Sequence, residues 1–225
     1  MRVVVAGGHG KIGLRLLRLL AAAGHDAVGM VRDPDQAADL RDAGASALVI
    51  DLEHATVPEV VAAIDGADAV VFAAGAGPGS GAARKLTMDR DGAIRLADAA
   101  VSAEVARYLM VSSVNAVEPA PDDDLRAKEG LSDDEVFELY LRAKGAADAA
   151  LREHDLDWVI VRPGRLTDEP GTGTVRLATS VPSGSVSRDD VAAVLLALVD
   201  SQVARTTAEL IEGPTPIDGA VSALA

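Results

Sequence analysis

A run of glycines near residue 10 joins a short β-branched stretch to a helix, and it constrains the fold more than any other feature of the chain. Residues 3–5 are typical of a buried strand, and apolar side chains recur at helical spacing from residue 11 to residue 20. The glycines fit both G-x-G-x-x-G and G-x-x-G-x-x-G. Such glycines permit a tight turn, let backbone N–H groups approach a pyrophosphate at the helix N-terminus, and let the helix pack closely on the strand. The alternative is a plain strand–helix turn. We predict a dinucleotide site at Gly7, Gly8, His9, Gly10, Lys11, Ile12 and Gly13.

Strands and helices are predicted to alternate along the rest of the chain. We expect strands over residues 26–32, 46–50, 68–73, 106–111, 158–162 and 208–211, and helices over residues 35–42, 58–64, 84–102, 133–154 and 188–199. This alternation is typical of a parallel sheet covered by helices on both faces. The sequence therefore predicts an α/β fold with a doubly wound parallel sheet, in one domain over residues 1–225.

Composition excludes several classes of function. A net charge of −14 argues against a nucleic-acid or anionic-membrane surface, and no apolar run approaches the ~20 residues that span a bilayer. The absence of cysteine excludes disulfides and thiolate metal sites and fits a reducing cytosol. We therefore expect a cytoplasmic protein with a small-molecule substrate and no metal site, either a monomer or a homodimer.

Arg32 bears on the choice of cofactor. An NAD site usually places an acid at the end of the second strand, where it accepts from the ribose 2′-OH. Here that strand ends in Arg32, whose planar fork suits a 2′-phosphate, while Asp33 beside it could take the hydroxyl instead. With Arg32 at the strand end and His9 and Lys11 in the glycine loop, we predict NADP, and NAD is the alternative. The alternative for Arg32 itself is a surface arginine paired with Asp33 or Asp35.

The ends of the third and fourth strands supply further candidate contacts to the cofactor. Asp51, with Leu52 beside it, follows the third strand, where a carboxylate can accept from the adenine amino group. The fourth strand runs into Ala73, Ala74 and Gly75, whose small size lets the backbone approach the cofactor closely. A small-residue loop is also an ordinary feature of an alanine-rich chain.

Tyr140 and Lys144 form a Y-x-x-x-K pattern on a predicted helix, so both side chains lie on one face, one turn apart. The positive charge of such a lysine favours the phenolate, and the tyrosine can then exchange a proton near neutral pH. Ser112 and Ser113 end the fifth strand, where a hydroxyl can hydrogen-bond a reacting carbonyl. The alternative is that Tyr140 packs in an apolar stretch and Lys144 is a solvated helix residue.

Together these features resemble the short-chain dehydrogenase/reductase superfamily, and most of all its atypical, NAD-dependent epimerase/dehydratase-like branch. The residues that carry the resemblance are the 7–13 loop, Ala73-Ala74-Gly75, Ser112-Ser113, Tyr140 with Lys144, and residues 157–173. The resemblance implies a Rossmann fold that binds NADP across the carboxyl ends of the strands. It also implies that Tyr140 is the catalytic acid/base, that Lys144 holds the nicotinamide ribose, and that Ser113 is the catalytic serine, with Ser112 beside it.

The resemblance extends to a few other positions. Asp89 stands where the superfamily usually has a helix asparagine, which weakens the carry-over of the proton relay. Pro163 and Gly164 would border the nicotinamide pocket, whereas Arg162 would anchor structure. The C-terminal substrate lobe would be small, with substrate-side loops at 121–138 and 165–187. Residues 121–131 could cover the sheet edge as a lid or form an ordinary solvated insertion.

The sequence leaves three functions open. The first is an NADP-dependent oxidoreductase or epimerase/dehydratase-type enzyme that transfers hydride at a carbonyl or alcohol carbon. The second is a non-catalytic NADP-binding sensor. The third is a reductase of flavin- or quinone-like acceptors that does not need Tyr140.

Overall fold

A mostly parallel sheet forms the centre of the protein. The computed structural model describes residues 1–77, 79–118 and 129–225, so the lid predicted over residues 121–131 lies, except for its last three residues, outside them. Within the described ranges, the sheet has nine strands in the order β11-β8-β10-β6-β5-β4-β1-β2-β3. The strands are β1 Arg2–Ala6, β2 Asp26–Val31, β3 Ser46–Val49, β4 Ala69–Phe72, β5 Arg107–Val111, β6 Asp157–Pro163, β7 Arg165–Thr167, β8 Thr174–Ala178, β9 Ser185–Ser187, β10 Thr206–Glu212 and β11 Thr215–Pro216.

Helices cover both faces of this sheet. They are α1 Lys11–Ala22, α2 Ala37–Asp42, α3 Val57–Ile64, α4 Ala82–Arg84, α5 Ala93–Ser102, α6 Asp133–Arg152, α7 Arg188–Val199 and α8 Ile217–Ser222. Side chains alternate along each strand, so Val3 and Val5 of β1 pack with α1, α2, α7 and α8, whereas Val4 packs with α3, α5 and α6. The predicted doubly wound parallel sheet is confirmed.

The C-terminal segment extends the same sheet. The strand predicted at 208–211 is β10, which pairs in parallel with β6 and antiparallel with β8, and β11 pairs with β8. Among the described residues, β7 and β9 form a separate two-stranded pair outside the main sheet. The region that the sequence assigned to a small substrate lobe is therefore built largely on the edge of the central sheet.

Two predicted helices differ from the structure in their course. The single helix predicted over 84–102 consists of α4, a π-helical segment Lys85–Gly92, and then α5. The helix predicted over 35–42 begins as the 3-10 turn Pro34–Gln36, because Asp33 caps it and Pro34 fixes its first residue. A third predicted helix, over 133–154, is α6. It begins after a capping box formed by Ser132 and Glu135, and it ends at Arg152.

Candidate functional site

Two adjoining cavities open along the carboxyl ends of the central strands, the usual place for a ligand in such a sheet. The first, the Arg32 cavity, has a volume of about 310 Å³, and the second, the Tyr140 cavity, about 750 Å³. Both are lined by the same four small residues, Gly10, Ala73, Ala74 and Gly75. A single extended ligand can therefore pass from one cavity to the other over this small-residue floor.

The glycine loop has the geometry that a dinucleotide phosphate site needs. Gly7 adopts a φ of +78°, and a Cβ there would lie 2.6 Å from the backbone of Ala74. A Cβ on Gly13 would lie 2.2 Å from the carbonyl oxygen of Gly7, so both positions require glycine. Gly10 caps α1, and the cap has no side-chain acceptor and no acid in the first turn. The first N–H groups of α1 are therefore available to an anion, so the residues present fit a pyrophosphate.

The other residues of this loop divide between the two cavities. His9 lines the Arg32 cavity, with its Nε2 2.6 Å from Asp39 Oδ2. Lys11 and Ile12 line the Tyr140 cavity, and Lys11 Nζ donates to Asp168 Oδ2 at 2.5 Å. Gly8 and Gly13 line neither cavity. Gly8 N donates to Met30 O, and Gly13 lies within α1. These two glycines therefore support the loop conformation without lining either cavity.

Arg32 lines the first cavity, while Asp33 turns to local capping. The Arg32 side chain is 54% exposed, and its Nη1 donates to Glu53 Oε2 at 3.4 Å. Asp33 Oδ1 accepts from Asp35 N at 3.0 Å, and Asp33 is not among the residues that line the cavity. The guanidinium, and not the carboxylate, is therefore the group at the end of β2 that the cavity presents to a ligand.

A buried carboxylate that the sequence analysis missed supports this wall. The Glu53 side chain is 7% exposed and accepts from Arg84 Nη2 and Thr87 Oγ1, each at 2.6 Å. The hydrogen bond from Arg84 is the main cause that lowers the pKa of Glu53. Asp51 and Leu52 line the same cavity, and Asp51 also accepts from Glu53 N at 3.0 Å. The predicted contact of Asp51 with adenine stays a prediction.

Tyr140, Lys144 and Asp89 meet in the second cavity. Lys144 lies on α6 one turn after Tyr140, and its Nζ is 6.0 Å from the Tyr140 ring centroid. The π-helical segment places Asp89 opposite, with Asp89 Oδ1 3.3 Å from Lys144 Nζ and Asp89 Oδ2 accepting from Ala76 N at 3.1 Å. Asp89 thereby ties the small-residue floor to the helix that carries Tyr140. The structure thus brings the three candidate side chains together, of which the spacing predicted only that Tyr140 and Lys144 share one helix face.

Lys144 is held as a buried cation. Its Nζ donates to Val111 O at 3.1 Å and faces Asp89, and the residue is 4% exposed. Burial alone would lower the pKa of Lys144, but the negative groups around it, Asp89 first among them, together outweigh burial, and the pKa is raised. An ammonium has three donors, so one N–H remains for a ligand or for the phenol after these two contacts.

Ser112 and Ser113 are adjacent but differently placed. Ser112 lines the Tyr140 cavity, whereas Ser113 is absent from its walls and donates from Oγ to Val114 O at 3.0 Å. Ser112 Oγ and Asp148 Oδ1 are buried atoms without a hydrogen bond of ordinary geometry to any described residue. Ser112 therefore borders the Tyr140 cavity without presenting an exposed hydroxyl to it, and the catalytic role of Ser113 stays a prediction.

Arg162, Pro163 and Gly164 lie away from both cavities. Arg162 Nη2 pairs with the fully buried Asp148 at 2.7 Å, which is the anchoring role expected of it. Pro163 O accepts from Val114 N, and a Cβ on Gly164 would lie 2.5 Å from Gly184 O. These contacts hold the end of β6 against neighbouring chain segments. The structure does not bring Pro163 or Gly164 to a cavity wall, and their contact with the cofactor stays a prediction.

Lys85 and Phe137 line the Tyr140 cavity, and the sequence analysis assigned neither. Lys85 Nζ lies 5.4 Å from the Tyr140 ring centroid, and Lys85 is the first residue of the π-helical segment. Phe137 stacks on Tyr140 with ring centroids 5.9 Å apart. The one available signal was the scarcity of lysine, because the chain has only four.

The described residues lack two features, a metal-binding cluster and a membrane-spanning helix. Residues 1–77, 79–118 and 129–225 contain no cluster of three or more histidine, cysteine or acidic side chains suited to a metal ion. Over those ranges, none of the helices combines the length and the apolar character needed to cross a bilayer.

Comparisons with known proteins agree with the cleft geometry. A family model described as NAD(P)H-binding matches residues 7–202. The protein YhfK of Bacillus subtilis, named an uncharacterised sugar epimerase, is 38% identical over 226 residues, which cover 100% of both chains.

Two solved structures share the whole fold. A Bacillus halodurans protein, named a candidate NAD-dependent epimerase/dehydratase, is 39% identical with a TM-score of 0.87, and the match covers 100% of both chains. The oxidoreductase YlbE of Lactococcus lactis is 27% identical with a TM-score of 0.84, and the match covers 100% of this chain and 96% of that one.

Proposed function

The chain belongs to the NAD(P)H-binding family, and on this premise we propose that it is an NADP-dependent enzyme that transfers hydride at a carbonyl or alcohol carbon. The resemblance to the epimerase/dehydratase-like branch is confirmed at the level of the family. The observation that carries the proposal is the position of Tyr140, beside Lys144, in the cavity that continues from the Arg32 cavity over Gly10 and Ala73.

NADP is favoured over NAD by the end of β2. Arg32 faces the cavity half-exposed, while the Asp33 carboxylate is engaged by Asp35 N. A guanidinium can bind a 2′-phosphate through two charge-assisted hydrogen bonds, whereas the 2′-hydroxyl of NAD would require a carboxylate acceptor there.

In the Tyr140 cavity, side chains of the protein would carry out the proton transfer that accompanies hydride transfer. When bound, the nicotinamide supplies hydride to a carbonyl carbon, or takes it from an alcohol carbon. Tyr140 donates its hydroxyl proton to the carbonyl oxygen in reduction and accepts it in oxidation. Lys144 stays protonated through Asp89, so its charge favours the phenolate form at the moment of transfer.

A panel assay tests the proposal. NADPH oxidation is followed with aldehydes, ketones, keto-sugars, flavins and quinones, for the wild type and for Tyr140→Phe, which keeps the ring and removes the proton. We expect carbonyl turnover that falls by a factor of about 100 or more in Tyr140→Phe. Carbonyl turnover that is equal in both proteins would contradict the proposal. NADPH binding without turnover of any acceptor would favour a sensor, and turnover of flavins or quinones alone would favour the third function.

A further inference from the structure

Positive charge is concentrated in the Tyr140 cavity of an otherwise acidic protein. The chain carries a net charge of −14 and only four lysines, and three of these, Lys11, Lys85 and Lys144, line that cavity. The fourth, Lys128, lies outside the described residues. The cavity therefore differs in charge from the chain as a whole.

Lys85 differs from the other two lysines in its partners. Lys144 faces Asp89 at 3.3 Å and Lys11 faces Asp168 at 2.5 Å, so each already has a carboxylate. Lys85 Nζ donates to a neutral acceptor, Gly77 O, at 2.9 Å, and in the part of the chain that the structure describes it forms no ion pair. Burial lowers the pKa of Lys85, the nearby Asp89 carboxylate opposes this shift, and the charge of Lys144 adds to it. A ligand anion would give Lys85 the directly paired negative group that it lacks.

An aromatic surface stands beside this cation. The chain has two phenylalanines, two tyrosines and one tryptophan, and three of the five are core residues, Phe72, Tyr108 and Trp158. The other two, Phe137 and Tyr140, stack at the cavity, where Phe137 is 58% exposed. Val136 and Leu131 continue the same apolar wall. This wall suits a flat or apolar substrate body.

We propose that the substrate bound next to Tyr140 is a carboxylate with an apolar or aromatic body, whose anionic group binds Lys85 Nζ while its body lies on Phe137. This inference rests on the proposed function, because it takes the molecule bound beside Tyr140 to be the substrate of that reaction. Lys85 Nζ lies 5.4 Å from the centroid of the Tyr140 ring, so an anion bound to Lys85 is held beside the phenol.

Binding of an unreactive probe tests the inference without turnover. The affinities of 2-naphthoate and of neutral 2-naphthamide are measured by calorimetry on protein saturated with NADP⁺. We expect the wild type to bind the carboxylate at least tenfold more tightly, about what a charge-assisted hydrogen bond contributes. Lys85→Met should bring the two affinities within about twofold, and Lys85→Arg should keep the preference. Phe137→Ala should weaken both probes by a similar factor.

Two controls separate this subsite from other effects. Arg18→Met removes a positive charge from an exposed position of α1 and should keep the wild-type preference. The NADP⁺ affinity of Lys85→Met should stay within about twofold of the wild type, since Lys85 contacts the substrate and not the cofactor. Equal binding of the two probes by the wild type, no binding of 2-naphthoate, a preference that persists in Lys85→Met, or a matching loss of NADP⁺ affinity would each overturn the inference.

The outcomes also separate this inference from the proposed function. If Lys85 binds 2-naphthoate but no carbonyl is reduced, only the proposed function fails. If carbonyl reduction depends on Tyr140 but shows no carboxylate preference through Lys85, only this inference fails.

Discussion

Asp89 and Lys144 form an ion pair inside the protein, with Oδ1 and Nζ 3.3 Å apart and neither side chain more than 5% exposed. The pair joins the π-helical segment to α6. Asp89, which lines the Tyr140 cavity, also accepts from the backbone N–H of Ala76, which lines the Arg32 cavity, so the pair lies between the two cavities. A buried charge without its partner is costly, so the two residues depend on each other. The pair fixes the helix that presents Tyr140 and keeps Lys144 charged.

The stability losses from removing the two members of this pair should not be additive. We expect Lys144→Met to lower the free energy of unfolding by about 3 kcal/mol, because it leaves the Asp89 carboxylate buried without its counter-ion. The double variant Asp89→Asn/Lys144→Met should recover at least about 1 kcal/mol relative to the sum of the two single losses. Urea denaturation of the four proteins measures this coupling. Strictly additive losses would show that the pair is not a unit.

The ionised Glu53 side chain should stabilise the protein fully only when the pH is above the ordinary pKa of a glutamate. Its pKa is lowered below the usual 4.5, mainly by the Arg84 hydrogen bond, so the stabilisation is present above about pH 4.5 and is lost as the pH falls through the lowered value. Glu53→Gln should therefore unfold about 1 to 2 kcal/mol more easily than the wild type at pH 7, and the difference should shrink from about pH 5 to pH 3. Denaturation midpoints of both proteins are measured across that pH range. A stability difference that stays constant with pH would contradict the prediction.

Arg32 should select the phosphorylated cofactor. Arg32→Ala should weaken NADP⁺ binding by a factor of about 10 to 100 and change NAD⁺ binding by less than about threefold, since only NADP carries the 2′-phosphate. Asp33→Ala is the matched control, because its carboxylate caps a 3-10 turn and does not line the cavity. Affinities are read from fluorescence titrations. An unchanged NADP/NAD ratio in Arg32→Ala would show that Arg32 does not contact the 2′-phosphate.

Two glycine substitutions should have opposite effects on stability. A Cβ on Gly13 would lie 2.2 Å from Gly7 O, so Gly13→Ala should lower the free energy of unfolding by about 2 kcal/mol or more and abolish cofactor binding. Gly219 lies exposed in α8, and a Cβ there would meet only Thr215 Cγ2 at 3.8 Å. Gly219→Ala should raise stability by up to about 1 kcal/mol and leave cofactor binding unchanged. Thermal unfolding with and without NADP⁺ distinguishes the two, and an unaffected Gly13→Ala would contradict the close packing of this loop.

Local pattern was enough to predict the strand–glycine–helix unit and the α6 pair. Gly7, Gly13, Tyr140 and Lys144 act through spacings of a few residues, which the sequence shows directly. The alternation of elements likewise predicted the parallel sheet, because parallel strands need crossover helices.

Contacts between distant segments could not be read from local pattern. The π-helical segment has no sequence signature, so Lys85 and Asp89 were predicted on one ordinary helix, although Asp89 was singled out. The position of Lys85 over Tyr140 depends on how that segment packs on α6, 55 residues away along the chain. Ser112 and Ser113 follow one another at a strand end, and their local sequence does not decide which of the two residues borders the cavity.

The central claim is that a bound nicotinamide lies beside Tyr140. A crystal structure of the NADP⁺ complex tests it most directly, through the distance from Tyr140 Oη to the nicotinamide C4. A substrate carbonyl between them must be within about 3.2 Å of the hydroxyl and about 3.5 Å of C4, so the account predicts a separation of about 7 Å or less. A nicotinamide bound outside the Tyr140 cavity, with C4 more than about 8 Å from Tyr140 Oη, would contradict it.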